Sequence, residues 1–270
     1  MINNTDIYFP SDEILKTFIK NIWWLSDEAV QTRKEVILPK GTVEIIFNLR
    51  DPVHYHHPAL KISKVLPVAF VNGLNFKPFE LSKVGRQEFL GIQMHSIGLR
   101  LLFNLSVKEF NNLVYDGQEV CPILVSLANQ LYHLKTFQQR VEIILNWISQ
   151  QVLSGHGQHA INRYKHFTNL EYHQNLTVKK ISQDVYLSDR QLRRFSLDWL
   201  GMNTEEFIHY KKYLHSLQLL HHTSQKLTDI GHNAGYYDQS HFIREFRSYT
   251  EMTPKQYRAA NALFPGHIFD

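Results

Sequence analysis

The chain has 270 residues, a formal net charge of +4 and one cysteine. That length suits two domains better than one, because single cores stop growing near this size. Cys121 stands alone, which excludes an intramolecular disulfide and fits a reducing compartment. No charged-then-apolar leader is visible, and no apolar run approaches the roughly 20 residues that a membrane span needs. We therefore expect a cytoplasmic protein with no membrane partner.

Charge is unevenly spread. Residues 1–159 hold 15 Lys and Arg against 14 Asp and Glu, whereas residues 160–260 hold 14 against 10. The positive excess lies in the last third, where a phosphate-contacting surface would need it.

In chain order, Ser11 to Trp24 is a short amphipathic stretch. Val36-Ile37-Leu38 then leads through a turn signal, Pro39-Lys40-Gly41, into the apolar run Val43 to Phe47, which has strand length. Val65 to Val71 and Glu88 to Met94 are further β-like runs, so a β-rich N-terminal domain is expected. His54-Tyr55-His56-His57 invites a metal reading, since imidazole is the commonest metal ligand. Lying between Asp51-Pro52 and Pro58, without a cysteine partner, it reads as a solvated loop. Neither a metal nor any other cofactor is expected.

Helical patterns follow. Ser106-Val107-Lys108-Glu109 has the form of a capping box opening a helix to about Tyr115, where Asp116-Gly117 stops it. Leu124, Leu127, Leu131 and Leu134, then Val141, Ile144, Leu145 and Ile148, recur at helical spacing, with Thr136 as a cap between them. Such a face packs on its own core more often than it forms a dimerisation helix pair. Residues 153–159, with two glycines and no large apolar residue after Leu153, are the linker candidate. A helix resumes over 160–172.

Two copies of one plan then appear, LTVKKISQDVYLSDRQLRRF from Leu176 and LTDIGHNAGYYDQSHFIREF from Leu227, joined by NTEEFIHYKKYLHSLQLLHH. Short helix, tight turn and second helix is the arrangement that sets a recognition helix in a major groove. In the first copy Ser188 and Gln191 cap a helix on which Arg190, Arg193 and Arg194 are brought together, while Leu187, Leu192 and Phe195 hold it inward. In the second, Asp238 caps a helix that presents Gln239, Ser240, Ile243, Arg244 and Arg247, with Phe242 and Phe246 as core. Arginine can pair with guanine O6 and N7 or clamp a phosphate, and glutamine can read adenine. The bland alternative, a solvated basic face, loses weight because the plan occurs twice. His241 suits a neighbouring side chain, a phosphate or a base equally. The connecting helix, capped by Asn203 and Glu206 and striped with Phe207, Tyr210, Leu214 and Leu217, would span about 28 Å at 1.5 Å per residue. Successive major grooves lie about 34 Å apart, so two adjacent grooves could be read by one chain.

These residues resemble the DNA-binding domain of the AraC/XylS family of transcription regulators. Gly235 to Phe246 matches the family's Gly-Phe-x-Asp-Gln-Ser-His-Phe-x-Arg-x-Phe run nearly position for position, and Thr253-Pro254 with Tyr257-Arg258 matches its closing Thr-Pro-x-x-Tyr-Arg. A looser likeness to the N-terminal domain of one subgroup rests on Leu38 to Gly41 before Glu44 to Asn48, on Asn72-Gly73, and on Gly91-Ile92-Gln93 running into Leu99 to Leu105. The chain departs from the family at Ser196, Lys212, Ser216, Gly231 and Glu251, where Phe, Arg, Ala, Ala and Gly are usual.

The resemblance implies an α+β protein: a β-rich regulatory or sensory domain with a helical segment over 1–152, a linker, and an all-α domain of two helix-turn-helix units over 160–262. It implies sequence-specific binding of double-stranded DNA under control of an unknown signal. RNA polymerase, a small-molecule effector and a second copy of the chain are its other candidate partners. The competing reading is a ligand- or protein-binding regulator whose helical domain no longer binds DNA. No phosphate loop, G-x-S-x-G elbow or H-E-x-x-H motif supports an enzyme. A methyl-accepting repair protein needs metal-held cysteines, which a lone Cys121 does not supply.

Overall fold

The computed structural model describes residues 4–29, 31–153, 177–260, 262 and 264–269. The N-terminal half contains ten strands: β1 (Asn4–Tyr8), β2 (Ile19–Asp27), β3 (Arg33–Ile37), β4 (Val43–Asn48), β5 (Val53–His57), β6 (Ile62–Val65), β7 (Ala69–Asn72), β8 (Phe79–Lys83), β9 (Gln87–Met94) and β10 (Val114–Asp116). Among the described residues four α-helices accompany them: α1 (Ile97–Phe103), α2 (Gly117–Val120), α3 (Ile123–His133) and α4 (Phe137–Leu153). An eleventh strand, β11 (His267–Phe269), comes from the far C-terminus.

Two antiparallel sheets result, one ordered β1-β2-β9-β4-β7-β10 and the other β11-β3-β8-β5-β6. Strand alternation explains how the larger sheet is used. On β4, Val43, Ile45 and Phe47 join a core with helical residues such as Leu101, Leu127 and Ile144, while Ile46 faces the opposite way with Tyr55, Phe79 and Phe89. Both faces of this strand are covered, so its sequence is a nearly continuous apolar run.

The paired helices behave as expected. Leu124, Leu127, Leu131, Val141, Ile144 and Ile148 are buried in the chain's own core, and Thr136 and Gln139 cap α4 reciprocally. Arg140 on α4, itself buried, donates to Glu88 on β9 at 2.6 Å, and Trp24 Nε1 donates to the same carboxylate oxygen at 3.1 Å.

Five expectations need correction. Ser106 opens only a 3₁₀ turn, Val107–Phe110, and makes no side-chain cap bond. Asp116, expected as a stop, instead caps α2 by accepting from Gln118 N. Ser11 to Trp24 divides into a 3₁₀ turn at Leu15–Thr17 and the start of β2, and Val65 to Val71 divides at Pro67 between strands of different sheets. The histidine-rich stretch is strand β5, not a loop: Tyr55 and His57 face inward and are buried, while His54 and His56 face out. Hydrophobic alternation was hidden there because histidine occupied both faces. Among the described residues no group of three His, Cys, Asp or Glu is arranged to hold a metal. The linker, apart from Leu153, and the helix expected over 160–172 lie outside the described residues.

The C-terminal part is helical: α5 (Val178–Asp184), α6 (Asp189–Leu200), α7 (Thr204–His222), α8 (Leu227–Asn233), α9 (Gln239–Thr250) and α10 (Pro254–Ala259). Helices α5 and α6 form one helix-turn-helix, α8 and α9 the other, and α7 joins them. Among the described residues no helix is long and apolar enough to cross a membrane.

Candidate DNA-binding surface and cavity

Each recognition helix starts where its sequence sets it. Ser188 and Gln191 form a reciprocal capping box on α6, and Asp238 Oδ1 accepts from His241 N at 2.7 Å on α9. On α6, Leu192 and Phe195 are buried, which leaves Arg190, Arg193 and Arg194 exposed. On α9, Phe242 and Phe246 are fully buried, Gln239, Ser240, Arg244 and Arg247 are exposed, and Ile243 is half-buried. Ser240, Ile243, Arg244 and Arg247 are brought together with Ser248 along one open groove. His241 turns to its own helix: its Nε2 lies 3.2 Å from Glu245, which also meets His209 Nδ1 at 3.0 Å.

Helix α7 has the predicted capping box of Asn203 and Glu206. Its buried face is wider than the expected stripe, adding Tyr213, Ser216 and Leu220 to Phe207, Tyr210 and Leu217, with Leu214 half-buried. The departures from the family have local explanations. Ser196 is fully buried and its hydroxyl lies 2.9 Å from that of Thr204. Ser216 donates to Tyr213 O at 2.7 Å, and Lys212 sits over the Tyr236 ring. Gly231 faces Phe242 so closely that an added Cβ would lie 3.3 Å from the Phe242 Cβ. Glu251 adopts the left-handed conformation, φ +62°, where glycine is usual.

The helical part is docked on the sheets. Tyr210 donates to Asn75 O at 2.8 Å and accepts from Gly41 N at 3.0 Å, and Tyr213 donates to Pro39 O at 2.9 Å. Ser96 donates to Trp199 O at 3.0 Å, Asn111 to Gly201 O at 2.6 Å, and Lys77 to Ser248 O at 2.7 Å. The Pro39-Lys40-Gly41 turn is thus also a docking point for α7.

Sequence reasoning missed a second feature. A cavity of about 410 Å³ lies between the sheets, walled by apolar side chains including Trp23, Ile46, Phe70 and Phe89 on one side and Tyr55, Phe79 and Leu81 on the other. Charged groups in its wall form three pairs, Arg33 with Asp27, Lys83 with Glu35, and Lys40 with Glu44. Lys20 is left over, with no carboxylate within 4 Å among the described residues. Burial lowers its pKa to about 8, partly offset by Glu44 and reinforced by Lys40, so it is still mainly a cation at neutral pH. Thr42 Oγ1, Tyr55 OH and Gln87 Oε1, also in this wall, are buried without a hydrogen-bond partner among the described residues. An apolar cavity with one surplus cation and free hydroxyl groups able to donate suits a small amphipathic molecule bearing an anionic group. No sequence pattern flagged these charged and polar residues as one site, because they come from β2, β3, β4, β5, β8, β9 and the turn before β4, which meet only in the fold.

Residues 181–260 match a helix-turn-helix domain family, and residues 8–116 match a domain of unknown function, DUF6597. An uncharacterized HTH-type transcriptional regulator of Staphylococcus aureus (strain MSSA476) is 23% identical over 206 residues, 71% of this chain and 28% of that protein. The chain thus spans well under a third of that relative's length. The lactose operon transcription activator of Staphylococcus xylosus is 27% identical over 135 residues, 50% of this chain and 47% of that one. Among solved structures, ToxT from Vibrio cholerae shares the fold with a TM-score of 0.50 at 12% identity, covering 95% of this chain and 97% of that one. A second ToxT structure with the same TM-score and identity, covering 95% and 98%, contains (E)-4-(8-methylnaphthalen-1-yl)but-3-enoic acid.

Proposed function

We propose that this chain, whose residues 181–260 form a helix-turn-helix domain of the AraC/XylS type, is a sequence-specific regulator of transcription that reads two adjacent major grooves and is controlled by a small molecule. One observation carries the DNA-binding reading. Two capped recognition helices expose Arg190, Arg193 and Arg194 on one and Gln239, Ser240, Arg244 and Arg247 on the other, joined by the single 19-residue helix α7. In this reading residues 1–152 sense, 153–159 link and 160–262 bind DNA, in the cytoplasm, with RNA polymerase as the downstream partner.

The cavity is the effector site in this proposal. Its apolar walls and the unpaired Lys20 favour an amphipathic carboxylic acid, the class of compound present in the ToxT structure named above. Lysine serves such a ligand as a point charge, while the Tyr55 hydroxyl can donate to its carboxylate and fix its orientation.

Selection of bound DNA from a random pool tests the first part. The expected product is one enriched, asymmetric sequence spanning two helical turns, whose binding weakens steeply with salt. No enrichment, with salt-insensitive binding, would instead support the reading in which the helical domain has lost DNA. For the second part, calorimetric titration with decanoate and decanol should show binding of the acid, with Lys20→Met reducing it to the level of the alcohol.

A further inference from the structure

Strand β11 follows the helical domain in the chain yet belongs to a sheet of the other domain. Phe264-Pro265-Gly266-His267 is a tight turn: His267 N donates to Phe264 O at 3.0 Å, and Gly266 takes φ +77° after proline. Proline second and glycine third are what a type II turn requires. The turn sends His267, Ile268 and Phe269 back antiparallel to β3, opposite Ile37, Val36 and Glu35, and Leu38 N donates to Gly266 O at 2.8 Å.

That strand also walls the cavity. Phe264, Pro265, His267 and Phe269 line it, whereas Gly266 does not. His267 is central to a chain of side chains in the cavity wall. Its Nδ1 lies 2.5 Å from Glu35 and its Nε2 2.9 Å from Lys40, which reaches Glu44 at 3.3 Å; Gln93 donates to Glu44 and Asn21 to Gln93, each at 3.1 Å. In the other direction the strand is joined to the DNA-binding units. Gly266 N donates to Tyr257 OH at 3.3 Å, that hydroxyl lies 3.1 Å from His221 on α7, and the Tyr257 ring packs edge-on to Phe246 on α9.

We propose that β11 is the wall of the effector site contributed by the segment that follows the DNA-binding domain, and that an amphipathic carboxylic acid in the cavity clamps it against β3, holding the two domains in this docked arrangement. The proposal rests on the cavity being the effector site. A ligand filling the space touches Phe269 and His267 only while the strand is docked. It therefore binds the docked state more tightly, and by linkage the docked strand strengthens ligand binding by the same factor.

The test uses the full chain, with decanoate as probe and two readouts, affinity by calorimetry and hydrogen exchange at the Leu38 amide, whose acceptor is Gly266 O. Saturating decanoate should slow Leu38 exchange at least tenfold. Phe269→Ala should weaken decanoate at least tenfold. Gly266→Ala should weaken it as well, although Gly266 is outside the cavity, because a side chain at positive φ disfavours the turn. Decanoate that binds while leaving Leu38 exchange unchanged or faster would overturn the clamp and leave the cavity reading intact. So would both variants binding with wild-type affinity. Failure of decanoate to bind the wild-type chain would overturn the cavity reading, and the clamp with it.

Discussion

His267 Nδ1 lies 2.5 Å from a Glu35 carboxylate oxygen, across 232 positions of sequence, while its Nε2 faces the Lys40 ammonium. Lysine has no acceptor, so Nε2 accepts from Lys40 and Nδ1 carries the proton donated to Glu35. The neutral ring completes this arrangement, and burial together with Lys40 lowers the His267 pKa, against the opposing pull of Glu35 and Glu44. Burial would raise the Glu35 carboxyl, but Lys83 and His267 hold it down to about 2.

The sign of the pH dependence follows. A histidine whose folded pKa is depressed stabilises the docked state fully above its ordinary value of 6.5, and that contribution is lost as pH falls from there toward the folded value. Undocking of β11 should therefore become easier below pH 6.5. Leu38 amide exchange, corrected for its intrinsic pH dependence, should accelerate on acidification to pH 5.5. His267→Gln should remove the step; a step that persists would assign it to another group.

Glu251 ends α9 at φ +62°, with its N–H bonded to Arg247 O at 2.9 Å. A non-glycine residue in this conformation is strained by about 1–2 kcal/mol, partly offset by the extra chain entropy glycine loses on folding. Glu251→Gly should raise the unfolding free energy by about 1 kcal/mol. Urea denaturation measures this, and an unchanged or lower midpoint would refute the strain. Tyr186, at φ +53° in the first turn where the second turn has Gly235 at φ +75°, is the parallel site.

Tyr210 carries two bonds between the domains with one hydroxyl, donating to Asn75 O and accepting from Gly41 N. Tyr210→Phe keeps the ring, packed among Phe76, Tyr213 and Tyr249, but leaves the partly buried Gly41 N–H and the buried Asn75 carbonyl without this partner. The expected loss is about 1–3 kcal/mol. Limited proteolysis should find the two domains separating at lower urea than in the wild type, whereas unchanged stability would mean that both backbone groups have found other partners.

How much of this was readable beforehand depends on sequence distance. Ser188, Asn203 and Asp238 cap their helices within four residues of themselves, so local pattern sufficed, and Phe242 with Phe246 followed from helical spacing. The Ser106 capping box failed because Val107 and Phe110 are drawn into the core by contacts far along the chain, which leaves room for only one 3₁₀ turn. The cavity could not be read at all. Lys20, Glu35, Lys83 and His267 are scattered, and β11 is three residues long, too short to show alternation. Tyr210 was legible as helix core and Tyr213 was not, and neither was legible as a hydroxyl that holds α7 to the Pro39-Lys40-Gly41 turn.

The base-reading residues give the last expectation. Arg194 and Arg244 occupy corresponding exposed positions on α6 and α9, each two residues after a buried core position, Leu192 and Phe242. If each pairs both donors with guanine, Arg194→Ala and Arg244→Ala should each weaken binding to the selected sequence by about 1–3 kcal/mol and relax preference at one base position. The two sites lie on separate helices, so losses should add in the double variant. Fluorescence anisotropy against the selected and a scrambled duplex separates the roles. Equal loss on both duplexes, with a shallower salt slope, would reassign the residue to phosphate contact. Footprinting completes the measurement: protection should cover two adjacent major grooves per chain, and protection of a single groove would rule out simultaneous reading by both helices.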